Sequence, residues 1–223
     1  IKVSSVQDET GDIKTLKIEG TSYMCGNAQP GQFLMVWIPK VDEVPMSISN
    51  IAEGDEVWIS VKKIGEATAA IHRITSGGFL GLRGPYGRGF SAKGNNVLVV
   101  AGGIGVAPLM FLSKRLLERN AKITAILGAR SARKLALHKD FENMLGRRKN
   151  CKFIVATDDG SFGKKGYASE IAEKLIKAEQ FDRIYTCGPE PMIEKIVTYA
   201  TYNTVEVEAS LERYMRCGIG LCG

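Results

Sequence analysis

Val97–Leu98–Val99–Val100–Ala101–Gly102–Gly103–Ile104–Gly105–Val106–Ala107–Pro108 is the stretch whose reading decides the fold. Val97–Ala101 is wholly apolar, the pattern of a strand buried on both faces inside a parallel sheet. Glycines follow, and from Val106 to Glu118 apolar residues recur at helical spacing. Glycine permits positive φ and lets a phosphate approach the backbone. The glycines therefore precede a helix N-terminus, whose unpaired N–H groups and positive dipole end favour an anion. Pro108 suits the first helical turn, where no N–H is needed. The pattern is not G-x-G-x-x-G, because Pro108 stands where the third glycine would be. A nucleotide-binding loop and a tight, ligand-free strand-to-helix turn both fit; the apolar strand and the helix that follows favour the first.

Beyond this stretch the alternation continues. Strands are expected at Ile123–Leu127, Phe153–Ala156, Ile184–Cys187 and Val205–Glu208, with helices at Leu135–Leu145, Ala168–Ala178 and Pro191–Ala200. Strands separated by helices imply right-handed crossovers and a parallel sheet. Ligands of open parallel sheets collect at the carboxyl ends of strands. Cys187–Gly188–Pro189–Glu190–Pro191–Met192 is a second loop at such an end, and Leu127–Gly128–Ala129–Arg130 a third. One crevice should be lined by Gly102–Gly105 and Gly188–Pro189. Arg130 suits the adenosine end of a cofactor, and equally a surface salt bridge.

Residues 1–92 read differently. Ile13–Glu19, Phe33–Ile38 and Val57–Ile64 are short β-rich runs separated by Gly, Pro, Asp and Asn, the pattern of a small antiparallel barrel. One short helix is expected from Ala67 to Ile74. Lys93–Gly94–Asn95–Asn96 reads as a linker, which divides the chain into a barrel domain at 1–92, an α/β domain at 97–209 and a separate segment at 210–223.

The 223 residues are 44% hydrophobic and 24% charged, an ordinary globular balance, with a net charge of +6. Lys and Arg are scattered without interleaved aromatic residues, which argues against nucleic acid as a partner. Arg147–Arg148–Lys149 reads as a solvated helix end. Val97–Leu112 is too short to span a bilayer and is broken by glycines, so no membrane segment is expected. No export pattern is visible at the N-terminus, which makes the cytoplasm the expected compartment, and the start at Ile1 suggests that a few residues precede it. Cys25, Cys151 and Cys187 are isolated and read as small buried hydrophobes. His72 and His138 belong to no motif and read as structural.

The G-G-x-G-x-x-P loop at Gly102–Pro108 and the C-G-P-x-x-M loop at Cys187–Met192, in this order and spacing, resemble those of the ferredoxin–NADP reductase superfamily. The resemblance covers essentially the whole chain. It implies a six-stranded antiparallel β-barrel that binds FAD, followed by a parallel α/β domain that binds NAD(H). The family's flavin motif is R-x-Y/F-S or R-P-x-S; here Pro45, Met46 and Ser47 match, Ile48 and Ser49 follow, and Val44 replaces the arginine that meets the flavin diphosphate. Taken alone, Pro45–Ser49 is equally a plain strand start. Gly65–Glu66–Ala67–Thr68 is similar to the second flavin element, G-x-G-T, with Ala67 for a glycine. Val61, Lys62 and Lys63 lie just upstream, and either lysine could supply the missing charge. Gly84–Pro85–Tyr86–Gly87–Arg88–Gly89–Phe90 matches the G-P-x-G-x-x-F segment that closes the barrel. The NAD set implied is Gly102, Gly103, Gly105, Pro108, Gly128, Arg130, Asp158, Gly188, Pro189 and Met192.

Cys217–Gly218–Ile219–Gly220–Leu221–Cys222–Gly223 has the C-x4-C spacing that begins plant-type [2Fe-2S] centres. Their third cysteine would fall beyond Gly223, so the chain is read as cut within a cluster segment. A zinc site, or two unrelated cysteines in a tail, fits the spacing as well, though zinc more often uses C-x2-C. Ser210–Cys222 closely resembles S-L-E-x-x-M-x-C-G-I-G-x-C of the electron-transfer subunits of class 1B dihydroorotate dehydrogenase, and Thr157–Gly163 matches their T-D-D-G-S-x-G loop. The resemblance implies Cys217 and Cys222 as ligands of a [2Fe-2S] cluster. It also implies a hetero-oligomer with an FMN-containing catalytic subunit that oxidises dihydroorotate in pyrimidine biosynthesis, and no acid–base catalyst in this chain. Two alternatives stay open: the small subunit of a ferredoxin-dependent NAD(P) transhydrogenase or sulfide dehydrogenase, and a non-catalytic flavin-binding redox sensor. The transhydrogenase subunits usually carry D-G-T-G-M-C before their second cysteine, and this chain lacks it.

Overall fold

A computed structural model describes every residue except 53, 54, 147, 214, 222 and 223. The chain forms two compact units, residues 1–90 with 213–223, and residues 91–212.

The first unit contains strands β1 (Val3–Thr10), β2 (Ile13–Ile18), β3 (Phe33–Ile38), β4 (Asp42–Ala52), β5 (Glu56–Lys62) and β6 (Gly81–Tyr86), with short helices α1 (Ser22–Asn27) and α2 (Glu66–His72). The strands pair antiparallel in the order β1-β2-β5-β4-β3-β6. Strand β3 is buried on one face and in part on the other, where Met35 is fully buried. Leu34, Val36 and Ile38 point into the core, whereas Trp37 on the other face is 51% exposed. The two sheet edges meet through backbone at and before the starts of β1 and β6: Lys2 bridges Phe79, Val3 N–H donates to Gly78 O at 2.9 Å, and Leu80 N–H donates to Ile1 O at 3.1 Å. This removes the open edges that a lone sheet would expose. Leu16, Ile18, Ile48, Val57 and Ile59 complete a dry interior.

The second unit contains β7 (Asn96–Gly102), α3 (Val106–Glu118), β8 (Lys122–Ala129), α4 (His138–Gly146), β9 (Lys152–Thr157), β10 (Lys164–Lys165), α5 (Ala168–Ala178), β11 (Arg183–Cys187), α6 (Glu190–Tyr202) and β12 (Glu206–Ser210). All pairings are parallel, in the order β10-β9-β8-β7-β11-β12. Val97–Ala101 are fully buried, as the unbroken apolar run requires. Leu98 and Val100 pack with Ile126, Ile184, Ala172 and Ile196 on one face of the sheet. Among the described residues no helix is long and apolar enough to cross a membrane.

Some boundaries differ from the sequence reading. The helix expected from Leu135 begins at His138, because Leu137 lies at φ 56°, outside helical space. Helix α1 was not anticipated; it buries none of its residues, so it has no apolar stripe to read. The expected Ala67–Ile74 helix runs Glu66–His72.

Candidate functional site

In the second unit the strand order reverses between β7 and β11, the switch point at which open parallel sheets bind ligands. The two loops at this point touch. A Cβ on Gly102 would lie 2.7 Å from Pro189 Cδ and 2.9 Å from Met192 Sδ, and one on Gly188 would lie 2.9 Å from Gly102 Cα. A Cβ on Gly105 would strike the Cys187 carbonyl and lie 2.8 Å from the Gly188 nitrogen. The sequence reading gave Gly105 the task of admitting a ligand to the backbone. The space is instead taken by Cys187, and Gly105 serves to let the loops pack. Gly103 differs: at φ 55° it has open space where its side chain would be. Pro108 is buried in the first turn of α3. Gly128 makes room for Ala168 Cβ, 2.7 Å from where its own would stand, so it serves the packing of α5 on β8.

The loop after β9 is folded by its own hydrogen bonds. Asp158 N–H donates to Ala129 O at 3.0 Å. The Asp159 carboxylate accepts the Ser161 hydroxyl at 2.6 Å and the Ser161 N–H at 2.9 Å, which hold it below the usual carboxylate range. Ala132 N–H donates to the Ser161 oxygen at 2.7 Å. Arg130 and Asp158 thus stand exposed on neighbouring strand ends. The Cys187 thiol is pushed up to about 11 by burial, partly opposed by a hydrogen bond to Ser210, and stays protonated at neutral pH.

In the first unit Pro45, Met46 and Ser47 are half-buried on β4, while Ile48 and Ser49 are fully buried. The Ser49 hydroxyl accepts from Ser60 at 3.2 Å, and Ser60 pairs with Thr15 at 2.9 Å. This side chain therefore closes a buried chain of hydroxyls. Val61 is buried, and its carbonyl pairs with His72 Nε2 at 2.8 Å. Lys62 and Lys63 are exposed at the end of β5, followed by exposed Gly65 and half-buried Ala67. The Thr68 hydroxyl accepts the N–H groups of Ile64 and Gly65, both at 2.9 Å, and donates to Gly65 O at 3.0 Å. These bonds hold the turn at the start of α2.

The tail after residue 212 belongs to the first unit. Half-buried Cys217 lies on a loop in which Gly218 and Gly220 take φ of 74° and 79°. The missing Cβ of Gly218 leaves room for Met35, whose Cγ and Sδ would be 3.0 Å from it. A cavity of about 570 Å³ is lined by Phe33, Pro85, Tyr86 and Gly87 and by residues 215–220. Arg83 donates from Nε and Nη2 to the Glu43 carboxylate at 2.7 and 2.6 Å, and from Nη2 to Cys217 O at 2.9 Å. Arg83 holds the Glu43 carboxyl below its ordinary range. Nothing in the sequence pointed to this contact, which joins positions 134 residues apart. Cys222 lies outside the described residues. Among the described residues, no three His, Cys, Asp or Glu side chains come together as a metal centre.

The Oxidoreductase NAD-binding domain family matches residues 99–198. A protein of Methanocaldococcus jannaschii, named probable dihydroorotate dehydrogenase B (NAD(+)), electron transfer subunit, is 39% identical over 222 residues, 100% of this chain and 80% of its own. The protein of the same name from Pyrococcus furiosus is 42% identical over 195 residues, 87% of this chain and 72% of its own. A chain of the solved NADH-dependent reduced ferredoxin-NADP oxidoreductase superposes with a TM-score of 0.88 at 28% identity, covering 100% of this chain and 79% of that one. The strand-end glycines are thus those of an oxidoreductase NAD-binding domain, and this chain belongs to the family of dihydroorotate dehydrogenase B (NAD(+)) electron transfer subunits.

Proposed function

We propose that this chain moves electrons between NAD and an FMN-containing catalytic subunit that oxidises dihydroorotate, with FAD and a [2Fe-2S] cluster as its own carriers. The observation that carries this reading is the likeness to the Methanocaldococcus jannaschii subunit along the whole chain, cysteine tail included.

The residues suit these groups in chemistry. Gly103, with open space at the head of α3, admits a diphosphate to the backbone. Gly102, Gly188, Pro189 and Met192 pack together to form the floor beneath it. Exposed Arg130 and Asp158 face the adenosine end. On the barrel, Pro45, Met46 and Ser47 border the flavin, with the backbone of Ile48 and Ser49 behind them. Lys62 and Lys63 place exposed ammonium groups where charge is needed in the absence of an arginine at Val44. Cys217 offers a soft thiolate on a glycine loop facing a roomy cavity, the donor chemistry of a cluster ligand, with Cys222 as its neighbour in the C-x4-C spacing. When bound, nicotinamide and flavin exchange a hydride, and the iron–sulfur centre carries single electrons. The chain itself binds, orients and tunes.

A second reading, the small subunit of a ferredoxin-dependent transhydrogenase, draws on the likeness to the reduced ferredoxin-NADP oxidoreductase. One experiment separates the two. One anaerobic, FAD-loaded sample is titrated with NADH and then offered oxidised ferredoxin; a second, oxidised sample is mixed with the FMN-containing subunit, dihydroorotate and NAD+. Flavin bleaching by NADH and dihydroorotate-dependent NAD reduction are expected. Bleaching with transfer only to ferredoxin would favour the second reading, and no bleaching would overturn both.

A further inference from the structure

We propose that Arg83, held by Glu43, is the positioning residue that fixes the Cys217 loop on the antiparallel sheet. The registers place the parts. Met35 of β3 stands opposite Pro45 of β4 on one side and opposite Arg83 of β6 on the other. Cross-strand partners share a face, and Glu43 is two residues from Pro45, so Glu43, Met35 and Arg83 lie on the same side of the sheet. The tail lies along this row: Gly218 stands over Met35, and the Cys217 carbonyl accepts from Arg83.

The guanidinium is built for this task. Its planar fork meets both Glu43 oxygens, which sets its orientation from two strands. One Nη2 hydrogen serves Glu43 and the other serves Cys217 O. A lysine is a single flexible point charge and cannot hold both geometries at once. Tyr86 flanks the guanidinium, with its hydroxyl 3.4 Å from Nη1 and its ring centroid 5.4 Å from Cζ, and also lines the cavity that Cys217 faces. The clamp has two effects. It fixes the main chain at Cys217, and so the direction of the thiol. It also keeps a permanent positive charge beside Cys217, which favours the more negative, reduced form of whatever the thiolate binds and so raises its reduction potential.

The second effect rests on the reading of Cys217 as a cluster ligand; the first does not. Arg83→Gln, Arg83→Lys and Glu43→Gln are made in the full chain. Amide hydrogen exchange of residues 215–221 is measured in the FAD-loaded protein before cluster loading. Iron release to a chelator and the midpoint potential are measured after anaerobic reconstitution. Exchange in the tail should quicken about tenfold in Arg83→Gln, the scale of one charge-assisted hydrogen bond. Iron should leave faster and the midpoint should fall. Arg83→Lys should keep more of the potential than of the protection. Glu43→Gln should loosen the tail in part, with the arginine still present. Wild-type exchange in all three variants would overturn the proposal. A wild-type protein that takes up no iron or sulfide would defeat the cluster reading instead, and the exchange result would still judge the clamp.

Discussion

Gly105 and the Cys187 carbonyl face each other with no room for a methyl group between them. The contact joins the loop after β7 to the loop after β11. Gly105→Ala should cost about 1–3 kcal/mol by forcing two packed backbones apart, and Gly105→Val should abolish NADH binding while FAD content is retained. Gly103→Ala should cost only the left-handed conformation, about 1–2 kcal/mol, because nothing crowds that position. Urea unfolding and NADH titration of all three variants decide the point. Equal costs would mean that the loops do not need the close approach.

The alternation from Val97 onward was legible because each βα unit buries its own apolar run and announces it in sequence. The strand-end glycines were legible as a group, but their separate tasks were not. Gly105 and Gly128 meet Cys187 and Ala168, residues far along the chain, and no local pattern reports such a neighbour. Ser49 and Thr68 carried motif positions, yet their hydroxyls are satisfied inside the fold. A motif match gives residue type and spacing; it does not say which way a hydroxyl turns. The Arg83 clamp was illegible for the same reason: it depends on which strand lies beside which, and on where the tail returns.

Thr68 is expected to act on stability before it acts on flavin. Thr68→Val leaves the N–H groups of exposed Ile64 and Gly65 to water, at a cost of about 0.5–1.5 kcal/mol. The bound fraction of FAD should drop only as the unit unfolds. Denaturation followed by circular dichroism, with FAD affinity measured on the folded protein, tests this. Unchanged stability with a large loss of FAD affinity would return Thr68 to the flavin site.

Two buried acids on β11 set the alkaline limit of the second unit. The Cys187 thiol is raised from 9.0 to about 11 by burial. Burial also raises the Tyr185 phenol above 10.0, against hydrogen bonds from Ser91 and Lys93. A raised folded-state value means that the native protein keeps a proton the unfolded chain has already lost. Stability is therefore full below pH 9.0 and falls as pH climbs towards about 11. Cys187→Ala should flatten the first part of this decline in unfolding curves taken across the range. In the same protein Cys187 should react with a thiol reagent more slowly than half-exposed Cys25 and Cys151. An unchanged decline in Cys187→Ala would show that the thiol does not titrate in this window.

Cys217→Ser tests the route by which electrons leave the chain. A serine oxygen is a poor substitute for a soft thiolate, so the variant should fail to hold iron and sulfide after reconstitution. The substitution is nearly isosteric, and the main-chain contacts of the loop, from Arg83 to the carbonyl and from Gly218 to Met35, do not involve the sulfur. Barrel and flavin should therefore be undisturbed. Reduction of a small dye by NADH should stay within about threefold of wild type, the scale expected for an intact flavin site. Transfer to the FMN-containing subunit should be lost on the proposed reading, in which electrons pass between the two subunits through the cysteine loop whereas a dye can reach the flavin directly. Both rates are read from the same anaerobic preparation. A variant that serves the partner at the wild-type rate would mean that the loop is not the conduit, and the assignment of Cys217 as a ligand would fall with it.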